Sequence, residues 1–242
     1  GLSADVNQSV SGDVALNLDG YVLAAGEFSV TSSTVNAVLP SGGPAVDVDL
    51  LRVDLTGVNL FVGVGGKFNT STPGEFSVDI TDATGFSAAN ANLSVAFARV
   101  KDAAPTDTPQ DTRQWTGIAA SADGLSVVGL KNITLDVNNL EVMFNRASGA
   151  YGGAENTGYL DWSALYVDPT DRLFGLNGDT ASVVGDLTIN LGGYVMVAGS
   201  FSVEKTILLN SDPEGKDEMV DLDLLRINLT GVDLLVGVGG TF

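Results

Sequence analysis

The stretch VALNLDGYVLAA, residues 14–25, alternates apolar and polar side chains, pauses at Asp19-Gly20 and resumes with the opposite parity. In a hairpin with a two-residue loop the flanking residues face each other, so Leu18 would face Tyr21 and Leu16 would face Leu23. Aspartate and glycine also accept the positive φ angles that a type I′ turn requires. The stretch therefore predicts an antiparallel hairpin with one apolar face.

The same parity switch occurs five more times along the chain. The stretches are LRVDLTGVNLFV from Leu51, FSAANANLSVAF from Phe86, ITLDVNNLEVMF from Ile133, LTINLGGYVMVA from Leu187 and LRINLTGVDLLV from Leu225. No window shows a sustained period of 3.6 residues, which argues against helices. We predict an all-β fold, an elongated tandem repeat of antiparallel β-hairpins. A β-solenoid or β-helix, with each pause as a corner between two faces, is the alternative. At Gly26 the apolar phase slips, which predicts a β-bulge.

A long internal repeat contains these short patterns. Residues 12–30 align with 185–203, and residues 46–68 align with 220–242, with 29 identities in 42 aligned pairs. The repeat length is thus about 174 residues. We predict one full β repeat unit over residues 1–173 and the first third of the next unit over residues 174–242.

The composition excludes several classes of function. A net charge of −19 repels nucleic acid and anionic lipid headgroups. The absence of cysteine and histidine removes disulfides, thiolate nucleophiles, Cys/His zinc sites and Ser-His-Asp triads. No apolar run reaches the roughly 18 residues of a membrane helix, so we predict no membrane span. An acidic, cysteine-free chain is typical of exported bacterial proteins, which predicts an extracellular or cell-surface location.

Two stretches interrupt the strand pattern and predict long exposed loops. Residues 101–115 are rich in proline, threonine and aspartate, and residues 146–159 are rich in glycine. Long loops often carry binding sites, and aromatic rings can stack on sugars. The candidate sugar-binding residues near these loops are Trp115, Tyr151, Tyr159 and Trp162. Core packing is the alternative role of these rings.

Paired carboxylates form a second candidate site. Asp47 and Asp49 alternate with apolar residues that point inward, so both side chains project from one face of a strand, ~7 Å apart. Carboxylates are oxygen ligands that calcium takes, so a calcium site is one interpretation. A solvated acidic face, or ion pairs with nearby arginines, is the other. The candidate metal ligands are Asp47, Asp49, Asp221 and Asp223, and the candidate arginines are Arg52 and Arg226.

Three phrases carry a resemblance to a known class of repeats. DVDLLRVDLTGVNLFVGVGG, GLSVVGLKNITLDVNNLEVMFN and GYVLAAGEFSV resemble the tandem repeats of very large bacterial surface or secreted proteins of the adhesin-like, calcium-binding type. The resemblance implies an extracellular location, an elongated multi-repeat polypeptide and calcium stiffening. The chain lacks the calcium-binding nonapeptide of β-rolls.

These features together predict a structural or adhesive repeat module of an extracellular fibre or surface protein, acting as a stiff spacer or filament-forming element. Its predicted partners are copies of itself, through end-to-end or lateral strand pairing, and surface glycans. A carbohydrate-binding module is the alternative, followed by a polysaccharide-cleaving enzyme. We predict no enzymatic activity. The hairpin cores would carry the self-association: Leu16, Tyr21, Leu55, Val58, Val137 and Leu140, with Ile189, Tyr194, Leu229 and Val232.

Overall fold

The computed structural model describes most of the chain. The described ranges are residues 5–38, 45–69, 76–101, 111–156, 158–165, 168–178, 180–211 and 220–238.

In the described ranges nine long strands form one antiparallel sheet, in which each long strand pairs with the long strand that follows it in the chain. They are β1 (Asp5–Leu18), β2 (Val22–Ala37), β3 (Val46–Val64), β6 (Thr84–Val100), β7 (Gln114–Val128), β8 (Ile133–Ser148), β11 (Thr180–Leu191), β12 (Val195–Ser211) and β13 (Val220–Val236). Two short ribbons pair β4 (Lys67–Asn69) with β5 (Ser77–Asp79) and β9 (Ala150–Tyr151) with β10 (Ala154–Glu155). A single turn of 3₁₀ helix spans Trp162–Ala164. The all-β prediction is confirmed.

Two of the six predicted hairpin turns are present, but with a different register. Asp19 and Gly20 both have positive φ, at 52° and 73°, and connect β1 to β2. Leu18 pairs with Val22 rather than with Tyr21, so the loop has three residues. The extra residue places Leu16 on one face of the sheet and Leu23 on the other. The predicted pairing of these two leucines is therefore wrong, and the equivalent turn at residues 192–194 shows the same register.

The other four predicted turns are wrong, because the chain runs straight through them. Each pair lies inside a long strand: residues 56–57 in β3, 91–92 in β6, 138–139 in β8 and 230–231 in β13. A β-bulge adds one residue to a strand and so reverses the alternation as a turn does. Positive φ angles occur at Gly57, Asn90, Asn139 and Gly231. The turn-like residues therefore allow a bulge, and the apolar residues on both sides of it stay on one face.

The β-bulge that was predicted at Gly26 is misplaced, because the extra residue lies in the neighbouring strand β3 and not in β2. The β2–β3 register shifts between Ala25 and Glu27, where Gly26 is opposite both Gly57 and Val58. The β1–β2 register runs through Gly26 without a shift. A Cβ atom at Gly26 would lie 2.8 Å from the Cα of Val58, so the bulge in β3 requires glycine at this position.

One face of the sheet, here called the covered face, carries two buried apolar clusters. Leu23 and Ala37 both belong to it, because their positions in β2 differ by an even number. The first cluster joins Ala37, Val48, Leu50, Ala96, Ala98, Val100, Trp115 and Ala119 to Leu160, Trp162, Leu173 and Leu176. The second joins Leu23 and Phe61 to Ala83, with Phe68, Val78 and Ile80 packed against them. Two covering segments lie on this face: residues 158–165 and 168–178 cover one end, and residues 67–69 and 76–83 cover the other.

The opposite face, here called the open face, is apolar and exposed. It carries the side chains that alternate with the covered ones. They include Val14, Leu16 and Leu18 of β1, Leu51, Leu60 and Val62 of β3, Phe86 and Phe97 of β6, and Leu225, Ile227, Leu229 and Leu234 of β13, all of them exposed. Neither of the two covering segments lies on this face in the described part of the chain.

The sequence repeat coincides with a repeat of strands and of registers. β1, β2 and β3 correspond to β11, β12 and β13, and the Val22–Val62 pair of the first copy becomes the Val195–Val236 pair of the second. The bulge in β3 recurs in β13, opposite Gly199. The unit boundary between residues 173 and 174 stays a prediction.

Candidate functional site

Two of the four predicted sugar-binding aromatic residues are core residues. Trp115 is 1% exposed, and its indole N–H donates to the carbonyl of Gly158 at 2.7 Å. Trp162 is fully buried, and its indole N–H donates to Oδ1 of Asn145 at 2.9 Å. A Cβ atom at Gly117 would lie 2.6 Å from the Trp162 ring, so that ring packs directly on the strand backbone. Neither indole presents a face on which a sugar could stack.

The two tyrosines are placed differently. Tyr151 is exposed in β9, and the Arg113 guanidinium lies 4.9 Å from the centre of its ring. Arg113 is in turn held by Asp111, with Nε 2.9 Å from Oδ1. The hydrogen bonds from Arg113 hold the pKa of Asp111 below its usual value. Tyr159 is half-buried. The four aromatic residues therefore do not share one exposed platform, and residues 102–110 of the predicted loop lie outside the described residues.

The predicted acidic residues of the first copy lie at the rim of the open face. Asp47 accepts a hydrogen bond from Asn36 Nδ2 at 3.0 Å, and Asp49 accepts one from Thr34 Oγ1 at 3.1 Å. Asp49 also lies 3.5 Å from the guanidinium of Arg99. These contacts are formed with neighbouring strands rather than between the two carboxylates.

The second copy gives a similar picture at Asp223, which lies 3.4 Å from the ammonium group of Lys205. The side chain of Asp221 lies outside the described residues. Among the described residues no group of three or more histidine, cysteine, aspartate or glutamate side chains could hold a metal ion. The calcium site stays a prediction, and melting temperatures measured with calcium and with a chelator test it.

The predicted ion pairs of Arg52 with Asp47 and Asp49 are wrong, because Arg52 lies on the covered face and the two aspartates lie on the open face. Arg52 instead binds Asp54 through Nε at 2.7 Å and contacts Asp171 of the covering segment through Nη1. Ser94 adds a 2.7 Å hydrogen bond to Asp54. Arg52 and Asp54 are two residues apart in one strand, so alternation alone could have placed them together.

The buried side-chain amide of Asn145 binds the covering segment at Leu160, Trp162 and Gly178. Asn145 is 1% exposed, and its Nδ2 donates to the carbonyls of Leu160 and Gly178, both at 3.0 Å. Its Oδ1 accepts from Trp162. All of these hydrogen bonds are internal to the fold, so the cluster has a structural role: it attaches the covering segment to β8. Its signal in the sequence is a polar residue at an inward position of an apolar strand.

Polar side chains of neighbouring strands form hydrogen bonds at the bulges. Gly57 N–H donates to Asn92 Oδ1 at 3.0 Å, and the side chain of Asn139 donates to Asp186 at 2.8 Å. Ser200 donates to the same carboxylate at 2.6 Å. The hydrogen bond from Ser200, and then the one from Asn139, lowers the pKa of Asp186. The bulges in β3 and β8 thus gain side-chain partners from the neighbouring strand.

The edges of the sheet are the remaining candidate surfaces. β1 and β13 each pair with only one strand of the described sheet. An unpaired edge presents backbone N–H and C=O groups that can bind a further strand. In β13 the large apolar side chains next to this edge are exposed.

Comparisons with protein families, with curated proteins and with solved structures find no match for this chain. Within the described ranges, no helix has both the length and the hydrophobicity that crossing a bilayer requires. The sheet, its edges and its two faces are therefore the features from which a function can be inferred.

Proposed function

We propose that the chain is a structural, adhesive repeat module of an extracellular fibre or cell-surface protein. The observation that supports this role most directly is the pairing of β11 with β8. β11 is the sequence copy of β1, yet it continues the sheet of the preceding strands without a break. One unit thereby joins the next through backbone hydrogen bonds rather than through a flexible linker.

The mechanical consequence follows from the strand pairing. Each junction between units uses a ladder of eleven paired positions, from Thr180–Asn145 to Leu191–Ile133. In repeat proteins such nearest-neighbour interfaces make the array stiff and its stability additive along the chain. A tandem hairpin array of this kind acts as a spacer or as the element from which a filament forms. In this role the module is not an enzyme.

The open face supports adhesion between copies. Monomeric soluble proteins rarely expose an apolar patch larger than a few hundred Å², and larger patches mark interaction sites. Several of the predicted hairpin-core residues, among them Leu16 and Leu229, are exposed on this face. We propose that lateral contact between modules uses it. The net charge of −19 disfavours nucleic acid as a partner.

Electron microscopy of the native source material, labelled with an antibody against residues 101–115, tests the proposal. We expect long decorated fibres, or a surface layer, with a regular axial repeat. Label that is confined to discrete particles inside cells, with no fibre or surface layer, would contradict it.

A further inference from the structure

Each edge strand of the described sheet has a sequence copy in the interior of the same sheet. β1 and β11 are copies, and the outer edge of β11 is already occupied by β8. β3 and β13 are also copies, and the edge of β3 that β13 leaves open is occupied by β6. The structure therefore shows, for each edge strand, which strand pairs with the corresponding edge of its copy.

The β8 example fits β1 residue by residue. Leu187 and Ile189 of β11 pair with Val137 and Leu135 of β8. Their counterparts in β1 are Val14 and Leu16, which have the same apolar character and the same face. Cross-strand apolar pairs of this kind stabilise a sheet locally.

A polar contact specifies the same register. Asp186 accepts a hydrogen bond from the Asn139 side chain of β8, and its counterpart in β1 is Asp13. Asp13 is opposite Glu27 in the β1–β2 pair, and the described part of the chain gives it no hydrogen-bond donor. An asparagine in an incoming β8-type strand would supply that donor at the position it has beside β11.

The β6 example fits β13 in the same way. Leu55 of β3 pairs with Leu93 of β6, and the counterpart of Leu55 is Leu229. At the bulge, the Asn59 side chain accepts from the backbone N–H of Asn90 at 3.3 Å. The counterpart of Asn59 is Asp233, whose carboxylate is also an acceptor. Apolar contacts and bulge chemistry are thus both retained at the open edge.

We propose that the free edge of β1 binds a strand of the β8 type and the free edge of β13 binds a strand of the β6 type, each from a neighbouring repeat unit. The incoming strands take the registers of β8 beside β11 and of β6 beside β3. This pairing rule deepens the proposed structural function, on which it rests, and it fixes the order in which units join.

Synthetic peptides added to the full chain test the rule. The β8 peptide has residues 133–148 with a photoreactive side chain in place of Leu135, and the β6 peptide has residues 84–100 with one in place of Leu93. We expect saturable one-to-one binding, crosslinks from the β8 peptide near Leu16, and crosslinks from the β6 peptide near Leu229. A peptide of residues 114–128, the β7 sequence, is the matched control and is expected to bind neither edge.

Two variants test the register. Asp13→Ala should weaken the β8 peptide about threefold to tenfold, the effect of one lost hydrogen bond, and leave the β6 peptide unchanged. Val95→Pro in the β6 peptide should weaken it about tenfold or more, because proline removes a ladder donor. Binding absent up to about 1 mM peptide, where the binding energy is only about 4 kcal/mol, would overturn the rule. Crosslinks to β3 or to other strands in the interior of the sheet, rather than to β1 and β13, would overturn it as well.

The outcome is independent of the fibre test. Peptides that crosslink to the expected edges, together with native material that forms no fibre, would support the pairing rule and refute the structural role. Fibres without edge binding would refute the pairing rule alone.

Discussion

The two copies of the repeated sequence have the same registers and very different surroundings. Leu51 in β3 is 42% exposed, and its counterpart Leu225 in β13 is 63% exposed. Phe61 is fully buried in the second apolar cluster with Leu23 and Ala83, whereas its counterpart Leu235 is 40% exposed. The backbone ladder and the bulge are therefore set by the local sequence, while burial is set by which strand and which covering segment lie next to it.

The comparison predicts that truncation at Phe61 costs far more than truncation at its counterpart. Phe61→Ala should lower the free energy of unfolding by about 3–5 kcal/mol, because it leaves a cavity in the second apolar cluster. Leu235→Ala should lower it by about 1 kcal/mol or less, because that side chain is already partly in water. Urea denaturation of both variants measures the difference. Equal losses would mean that the two copies are packed alike.

The arginines at equivalent positions extend the comparison to charge. Arg52→Ala leaves Asp54 and Asp171 partly buried without their cation, which should cost about 3 kcal/mol. Arg226 is exposed, so Arg226→Ala should stay within about 0.5 kcal/mol of the parent chain.

Arg52→Lys is the control for geometry. It retains the charge but loses the two-pronged contact with Asp54, so a loss between those of the other two variants is expected. Identical thermal unfolding of the Arg52→Ala and Arg226→Ala variants would contradict this account of the ion cluster.

The glycines that face the bulges allow a finer comparison. A Cβ atom would lie 2.8 Å from the Cα of Val58 at Gly26, and 3.1 Å from the Cα of Val232 at Gly199. Gly26→Ala should therefore cost about 1–3 kcal/mol through overpacking, and Gly199→Ala should cost less. At Gly12 the nearest atom is 3.6 Å away, so Gly12→Ala should be neutral or slightly stabilising. Chemical denaturation that ranks the three variants in another order would contradict the bulge assignment.

These glycines also show where sequence reasoning succeeded and where it failed. The repeat and the all-β class were predictable, because alternation and residue identity are local properties. The bulge predicted at Gly26 lies in β3 instead, and the sequence of β2 alone could not show this. At residues 56–57 the sequence could not distinguish a bulge inside a strand from a turn between two strands. A turn and a one-residue insertion reverse the alternation equally and accept the same positive-φ residues, so only the neighbouring strands distinguish them.

The candidate sites show the same division. Trp115 and Trp162 follow long loops in the sequence, but their indole rings are buried because a distant segment folds back onto the covered face. The spacing of Asn145 and Leu160 in the sequence does not predict the hydrogen bond between them. By contrast, the projection of Asp47 and Asp49 from one face opposite buried Val48 followed from alternation, and the structure has it.

The smallest expected effect concerns the polar network at Asp186, which the described residues of the first copy lack at Asp13. Asp186 accepts from Ser200 and Asn139, whereas glutamate occupies the position of Ser200 in the first copy. These hydrogen bonds lower the pKa of Asp186 below 3.8 in the folded chain, so they contribute stability above the unfolded pKa. That contribution is lost as the pH falls through the folded pKa.

The loss of stability between pH 7 and pH 3 should therefore be smaller in Asp186→Asn than in the parent chain. Ser200→Ala should reduce this pH dependence more than Asn139→Ala does, because the hydrogen bond from Ser200 is the larger cause of the lowered pKa. Urea midpoints at the two pH values measure both differences. An Asp186→Asn variant that loses as much stability as the parent would place the acid sensitivity elsewhere.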